Sequence, residues 1–447
     1  MAQYRYFRLN DDGFTGKGSV MLNELSATEA ASAIAKGEIT SEQFVRACLG
    51  RIAERDGLLK AWAFLDPDLA LSQARARDAA EERLGPLHGV PVGVKDIIDT
   101  ADMPTGMNSP IYDGYRPRND AACVALMRKA GAVILGKTVT VEFAGMAPPP
   151  TRNPHNPDHT PGGSSSGSAA AVADFHVPAA FGTQTAGSVH RPAAYCGIVG
   201  WKPSFDHFNI HGVRAAAQSL DTLGLLTRSV DDAELLGAVL VGREAELGAQ
   251  PPRPPVIGLC RTHLWQQAKP ESVEAVEEAC DRLGQAGAEI REFPLPEDFA
   301  ALSDARNLVS NYERARATSW EFFTHPELLS PQLHASVERG LSVDYRDYAA
   351  AIAHAYDCRA RLNPLMEGVD ALIAPVAEGE APEGLEATGD HAFVGFWNLL
   401  HVPSFALPTA AGPNGLPVGI HLVGAFGNDI ALAKTARWVM DRIGKQA

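Results

Sequence analysis

Apolar and polar positions change rhythm several times along the chain, and each change marks an element. Ser26-Ala-Thr-Glu29 and Thr40-Ser-Glu-Gln43 each match a capping box, in which a hydroxyl and a carboxylate or carboxamide satisfy the orphan N–H groups of a helix start. They predict two helices broken near Gly37, and a stretch rich in Ala, Arg and Glu over 67–84 predicts a third. From Gly89 the pattern shortens. Val90-Pro-Val-Gly-Val-Lys95 and Ala132-Val-Ile-Leu-Gly136 are β-branched runs separated by a helical period over 121–130, and strand, helix, strand implies α/β layering. A Gly/Ser/Ala-rich stretch follows over 161–200. A Pro cluster at 251–255 then leads into a long helical region, 271–365, interrupted at 287–296. Near the C-terminus, Asp370-Ala-Leu-Ile-Ala-Pro375, Pro403-Ser-Phe-Ala-Leu-Pro408 and Val418-Gly-Ile-His-Leu-Val423 predict central strands. Residues 1–20 carry no period and read as a tail.

Composition narrows the function. The 447 residues are 45% apolar and 21% charged, as in a globular enzyme rather than a disordered or fibrous chain. With 39 basic against 54 acidic side chains, the net charge of −15 repels phosphate backbones and anionic membrane surfaces, so neither nucleic acid nor a membrane is expected as a partner. No apolar run approaches the roughly 18 residues of a membrane helix, and the first twenty residues lack the core of a secretory signal, so a cytoplasmic location is expected. Cys48, Cys123, Cys196, Cys260, Cys280 and Cys358 lie far apart with no C-x-x-C pair, which predicts reduced packing thiols and no zinc ribbon.

Three motifs mislead. Gly131-Ala-Val-Ile-Leu-Gly-Lys-Thr138 satisfies the phosphate-loop expression, but its variable positions are the apolar strand itself and not small residues able to aim N–H groups at phosphate. His155 and His159 have zincin spacing, yet Pro154 and Pro157 break the helix that a metal pair needs. His207 and His211 lack the intervening Glu.

The most unusual segment is Pro161-Gly-Gly-Ser164-Ser165-Ser166-Gly-Ser168, followed by an Ala/Val helix and by Gly182-Thr-Gln-Thr-Ala-Gly187-Ser188. A flexible linker would not run straight into a helix and a second small-residue turn. Close backbone approach explains it better: Gly187 lets successive N–H groups converge on a developing oxyanion, with Ser188 placed to attack a carbonyl. A serine needs a base. No G-x-S-x-G elbow or histidine partner is evident, and Lys95, at the end of an apolar strand and before Asp96, can supply one if burial lowers its pKa. Taken alone, a lysine there is more often a structural ion pair.

These segments resemble the amidase signature family of serine hydrolases. Gly89-Val-Pro-Val-Gly-Val-Lys95-Asp96 is similar to its lysine motif, Ala130 to Thr138 with Glu142-Phe-Ala144 to its next strand and turn, 162–200 to its namesake signature, and Asn398 to Pro403 with Gly415 to Gly424 to its closing pattern. The resemblance implies a single α/β domain with a central mixed β-sheet flanked by helices. It would cover 21–447 as a helical segment (25–85), a catalytic core (86–245), a variable, largely helical segment (246–368) and a C-terminal core (369–447). It further implies a Ser-cis-Ser-Lys triad with Lys95 as base, Ser164 as bridge and Ser188 as nucleophile, the 24-residue Ser164–Ser188 separation matching the family. Thr185, Ala186 and Gly187 would form the oxyanion hole. No metal or organic cofactor is implied.

Three departures stand out. Ala186 replaces the usual first glycine of the nucleophile turn, and Gln184 stands where most members have Asp. His190 stands where most have an arginine, with Arg191 one position later, as in malonamidase-like members that act on small acidic amides. The expected activity is hydrolysis of a small carboxamide through a Ser188 acyl-enzyme, with a free carboxylate on the substrate held by Arg191. Gln184, Tyr112, Met107, Tyr195, Phe396 and Trp397 are the other candidate substrate contacts. The alternatives are the glutaminase component of a tRNA-dependent amidotransferase and a noncatalytic scaffold. The acyl group and the oligomeric state stay open, a homodimer included.

Overall fold

Both capping boxes form. Ser26 accepts from the Glu29 N–H while the Glu29 carboxylate accepts from the Ser26 N–H, starting helix Ala27–Ala35; Thr40 and Gln43 do the same for Ser41–Leu59. Gly37 between them has φ +71°, a left-handed turn that glycine adopts without steric cost. The third helix, Pro67–Asp78, is shorter than its pattern suggests, because the Asp78 carboxylate turns to accept the N–H groups of Ser41 and Glu42. This computed structural model describes residues 21–145 and 147–443, so the expected tail over 1–20 lies outside the described residues.

Among the described residues, eleven strands form one mixed sheet: β1 (Trp62–Leu65), β2 (Pro91–Lys95), β3 (Val133–Thr138), β4 (Ala179–Gln184), β5 (Val199–Lys202), β6 (Thr222–Thr227), β7 (Val256–Leu259), β8 (Glu289–Glu292), β9 (Ala371–Pro375), β10 (Ser404–Ala411) and β11 (Pro417–Val423). Their order is β1-β3-β2-β4-β6-β5-β10-β11-β9-β7-β8, with helices packed on the sheet. Every residue of β2 to β6 is buried, which accounts for their continuous apolar runs in place of alternation. β2 runs parallel to β3 and β4, so the carboxyl ends of β2 and β4, at Lys95 and Gln184, open on the same side. Ligands of such sheets bind beyond those ends.

Residues 133–135 of the phosphate-loop-like string are ladder positions of β3, which leaves no loop there. All six cysteines are free and buried. Among the described residues no helix is long and apolar enough to cross a membrane. The expected long helical region is more broken than its pattern suggests. It divides into Pro270–Gln285, Leu302–Ala317, Ser319–Thr324, Pro331–Leu341 and Tyr345–Leu365, and its interruption contains β8. That edge strand reads Glu-Ile-Arg-Glu and is mostly exposed, so it gives no apolar signal.

The serine-rich loop is pinned to β3 by a contact that only glycine permits. A Cβ at Gly167 would lie 2.2 Å from the Ala61 carbonyl oxygen and 2.4 Å from the Val139 nitrogen, while the Gly167 N–H donates to Val139 O at 2.9 Å. Gly167→Ala is therefore expected to cost about 1–3 kcal/mol, read as a lower thermal midpoint; an unchanged midpoint would show that this contact carries no constraint.

Candidate active site

The site assembles from three small-residue segments at the carboxyl ends of β2 and β4. Lys95, the last residue of β2, is fully buried. Its Nζ donates to Ser164 Oγ at 2.7 Å and to Thr183 Oγ1 at 2.8 Å, with Thr183 O at 3.5 Å. The peptide bond Gly163–Ser164 is cis. The other hydroxyls of the run are committed to the scaffold: Ser165 to Thr183, Ser166 to Gly162 O, and Ser168 to Phe181 O and Thr138. Of the four, only Ser164 faces the amine.

Lys95 makes no ion pair among the described residues. The expected neighbour Asp96 pairs instead with Lys137 Nζ at 3.2 Å and accepts the Gly106 N–H, so the structural ion pair belongs to the next strand's lysine. Burial lowers the Lys95 pKa to about 7, because the charged form loses its hydration while its hydrogen-bond partners are neutral; Asp221 partly counteracts the shift. Asp221 carries no signal in the sequence, where no local motif marks it. It accepts Thr185 Oγ1 at 2.6 Å and the N–H groups of Ala216 and Ala217.

The Thr185–Ser188 turn follows β4. Among the described residues, the N–H groups of Thr185, Ala186 and Gly187 donate to no acceptor, and the Ser188 carbonyl accepts the Ser165 N–H at 3.3 Å. Ser188 Oγ has no hydrogen-bond partner there, so Lys95 and Ser164 are in contact while the Ser164–Ser188 step is open. Gly187 is needed for room: a Cβ would meet Val394 at 2.8 Å and His391 at 3.1 Å, and its φ is not in the left-handed region.

Several expected substrate contacts serve the scaffold instead. Gln184 accepts the Val189 and His190 N–H groups and contacts His190 Nδ1, holding the short helix His190–Tyr195 that carries the turn. His190 is buried with its pKa down to about 3, so it is neutral. Arg191 does not present its fork to a ligand. Its terminal nitrogens donate to Gly389 O at 2.9 Å, to Gly163 O at 2.6 Å and to Thr388 Oγ1 at 3.0 Å, gripping the peptide before Ser164. Tyr195, Phe396 and Trp397 are core residues, each at most 1% exposed. Tyr112 bonds Glu321 at 2.6 Å and packs edge-on against Phe143, whose N–H donates to Met107 O, so Met107 and Tyr112 wall the region beside Glu142–Ala144.

Comparison with known proteins agrees with this architecture. The amidase family model matches residues 43–432. The chain belongs to the amidase family. It is 42% identical to the A subunit of the glutamyl-tRNA(Gln) amidotransferase of Thermobifida fusca over 306 residues, 63% of this chain and 61% of that protein. The protein of the same name from Chloroflexus aurantiacus (strain ATCC 29366 / DSM 635 / J-10-fl) is 33% identical over 457 residues, 90% of this chain and 93% of its own length. The crystal structure of an amidase superposes with a TM-score of 0.86 at 32% identity, covering 94% of this chain and all of that one. This member of the family is an amide-hydrolysing enzyme, and it has the family's single α/β domain with a mixed sheet.

The Lys95 environment makes a direct prediction. In lysine-labelled protein, the Lys95 amine should titrate near pH 7, and Asp221→Asn should move that midpoint lower, since a nearby carboxylate favours the charged form. NMR of the labelled amine reads both shifts; a Lys95 still protonated above pH 9 contradicts the assignment.

Proposed function

We propose that this amidase hydrolyses a small carboxamide through an acyl-enzyme on Ser188. The observation that carries the reading is the buried Lys95 amine in contact with Ser164, without an ion pair among the described residues, two segments away from a serine whose preceding N–H groups donate to no acceptor among them. In the proposed cycle Ser188 Oγ attacks the amide carbon. Its proton passes through Ser164 to neutral Lys95, and the carbonyl oxygen becomes an oxyanion held by the N–H groups of Thr185, Ala186 and Gly187. Ser164 then gives a proton to the leaving nitrogen and recovers one from Lys95, so that ammonia or an amine departs. Water attacks the ester by the same relay, releasing the carboxylic acid and restoring Ser188. A side-chain rotation of Ser188 closes the Ser164 contact when substrate binds; such hydrogen bonds often tighten only in the complex.

The relatives' names support a second reading, the glutaminase component of a tRNA-dependent amidotransferase. Turnover of free glutamine and copurification with a kinase-like partner protein would favour it. Release of ammonia from other small amides by the isolated chain favours the first reading.

Ser188→Ala should abolish ammonia release with the fold intact by circular dichroism, and Lys95→Arg should not restore a Lys95→Ala loss, since guanidinium stays protonated. With Lys95 at about 7, kcat/KM should rise about tenfold per pH unit below that value and level off above it. Near-normal activity in Lys95→Arg, or a flat profile from pH 5 to 9, would overturn the proposed relay.

A further inference from the structure

The N–H groups that precede Ser188 can serve a reacting oxygen only if the peptide planes carrying them are held at a fixed angle. In a trans peptide the N–H points away from its own C=O, so whatever grips a carbonyl also aims the N–H of the next residue. Three carbonyls of the turn are gripped. Gly187 O accepts the Arg191 N–H at 2.9 Å and Ser188 O accepts the Ser165 N–H at 3.3 Å, both main-chain bonds. Thr185 O, in the peptide that carries the Ala186 N–H, is held by a side chain instead: Asn398 Nδ2 donates to it at 2.9 Å.

Asn398 is buried and comes from helix Ala392–Leu399, far along the chain. Its other amide hydrogen goes to Leu220 O, also at 2.9 Å, in the residue before Asp221. Two carbonyl acceptors decide which end of the carboxamide is nitrogen, and the Oδ1 end has no partner among the described residues. The far side of this bridge is anchored independently. Asp221 accepts the Thr185 hydroxyl and the N–H groups of Ala216 and Ala217. His401, neutral because burial takes its pKa down to about 3, donates from Nε2 to Ser219 O at 2.7 Å. Removing the Asn398 amide therefore leaves the helix end and the Asp221 loop fastened, and frees the Thr185–Ala186 peptide to rotate.

We propose that Asn398 is a positioning residue for catalysis: by holding Thr185 O it turns the Ala186 N–H into the cleft, where that N–H meets the oxyanion formed when Ser188 attacks. The inference rests on the Ser188 acyl-enzyme reading. Among the described residues no other group donates to Thr185 O, so nothing replaces Asn398 when it is lost. A carboxamide suits the task. It is neutral, so it fixes the peptide without placing a charge near Lys95, whose amine makes no ion pair among the described residues. Asn398 thus acts on how well the transition state is held, and it leaves both substrate binding and the proton relay as they are.

The test measures labelling of Ser188 by a fluorophosphonate in wild type, Asn398→Leu and Asn398→Ala, resolved into kinact and KI and followed across pH. Losing an oxyanion-hole donor outright costs about 100- to 1,000-fold, so misaiming one should lower kinact by about 10- to 100-fold in both variants. KI should not change, and the pH midpoint should stay near 7, since Lys95 is untouched. If the bulkier Asn398→Leu does not fold by circular dichroism, Asn398→Ala decides. In protein labelled with 15N-alanine, the Ala186 amide proton should move downfield when wild-type Ser188 is phosphonylated, and less so in Asn398→Ala. An unchanged kinact, a loss confined to KI, a displaced pH midpoint, or an Ala186 amide that does not respond in wild type would overturn the assignment. Failure of the acyl-enzyme reading would appear separately, as a wild-type label on a serine other than Ser188.

Discussion

A lysine amine buried against two hydroxyls and no carboxylate is the constraint on which the rest of the site depends. Burying an ammonium unpaired is unfavourable, so the protein settles Lys95 towards its neutral form, with a pKa of about 7. That outcome requires Asp96, its chain neighbour, to be occupied elsewhere, and Lys137 near the end of β3 occupies it. Two lysines on adjacent parallel strands thus divide the work: one neutralises the acid, and the other is left free to accept a proton.

The small residues follow from the same requirement. The hydroxyl that meets Lys95 comes from a loop whose other serines are anchored to main-chain oxygens, so a single oxygen remains at the amine. Gly167 brings that loop against β3, and Gly187 lets the nucleophile turn slide beneath Val394 and His391. Arg191 grips the Gly163 carbonyl from behind. Its position near the nucleophile thus serves to hold Ser164.

Much of this was legible in the sequence where the pattern is local. The capping boxes, the buried strands β2, β3 and β9 to β11, and the failure of the phosphate-loop string all follow from neighbouring residues. The lysine and the two serine-rich turns were readable because unusual composition marks them. What stayed hidden arises from long-range packing. Asp221 lies in a segment with an ordinary pattern, and only its long-range contact with Thr185 in the turn after β4 gives it a role. Gln184 and Arg191 misled for the complementary reason: closeness along the chain does not say which way a side chain turns. Edge strand β8, charged and exposed, carries no apolar signal.

The central claim is that a neutral Lys95 activates Ser188. The most direct measurement is the pH dependence of covalent modification by a fluorophosphonate, with the modified residue mapped by mass spectrometry in wild type and in Lys95→Met. The account predicts a single label on Ser188, a labelling rate that rises through a midpoint near pH 7, and a slow, nearly pH-independent rate in the variant. A label on Ser164, Ser166 or Ser168, or a wild-type profile that survives the loss of Lys95, would contradict it.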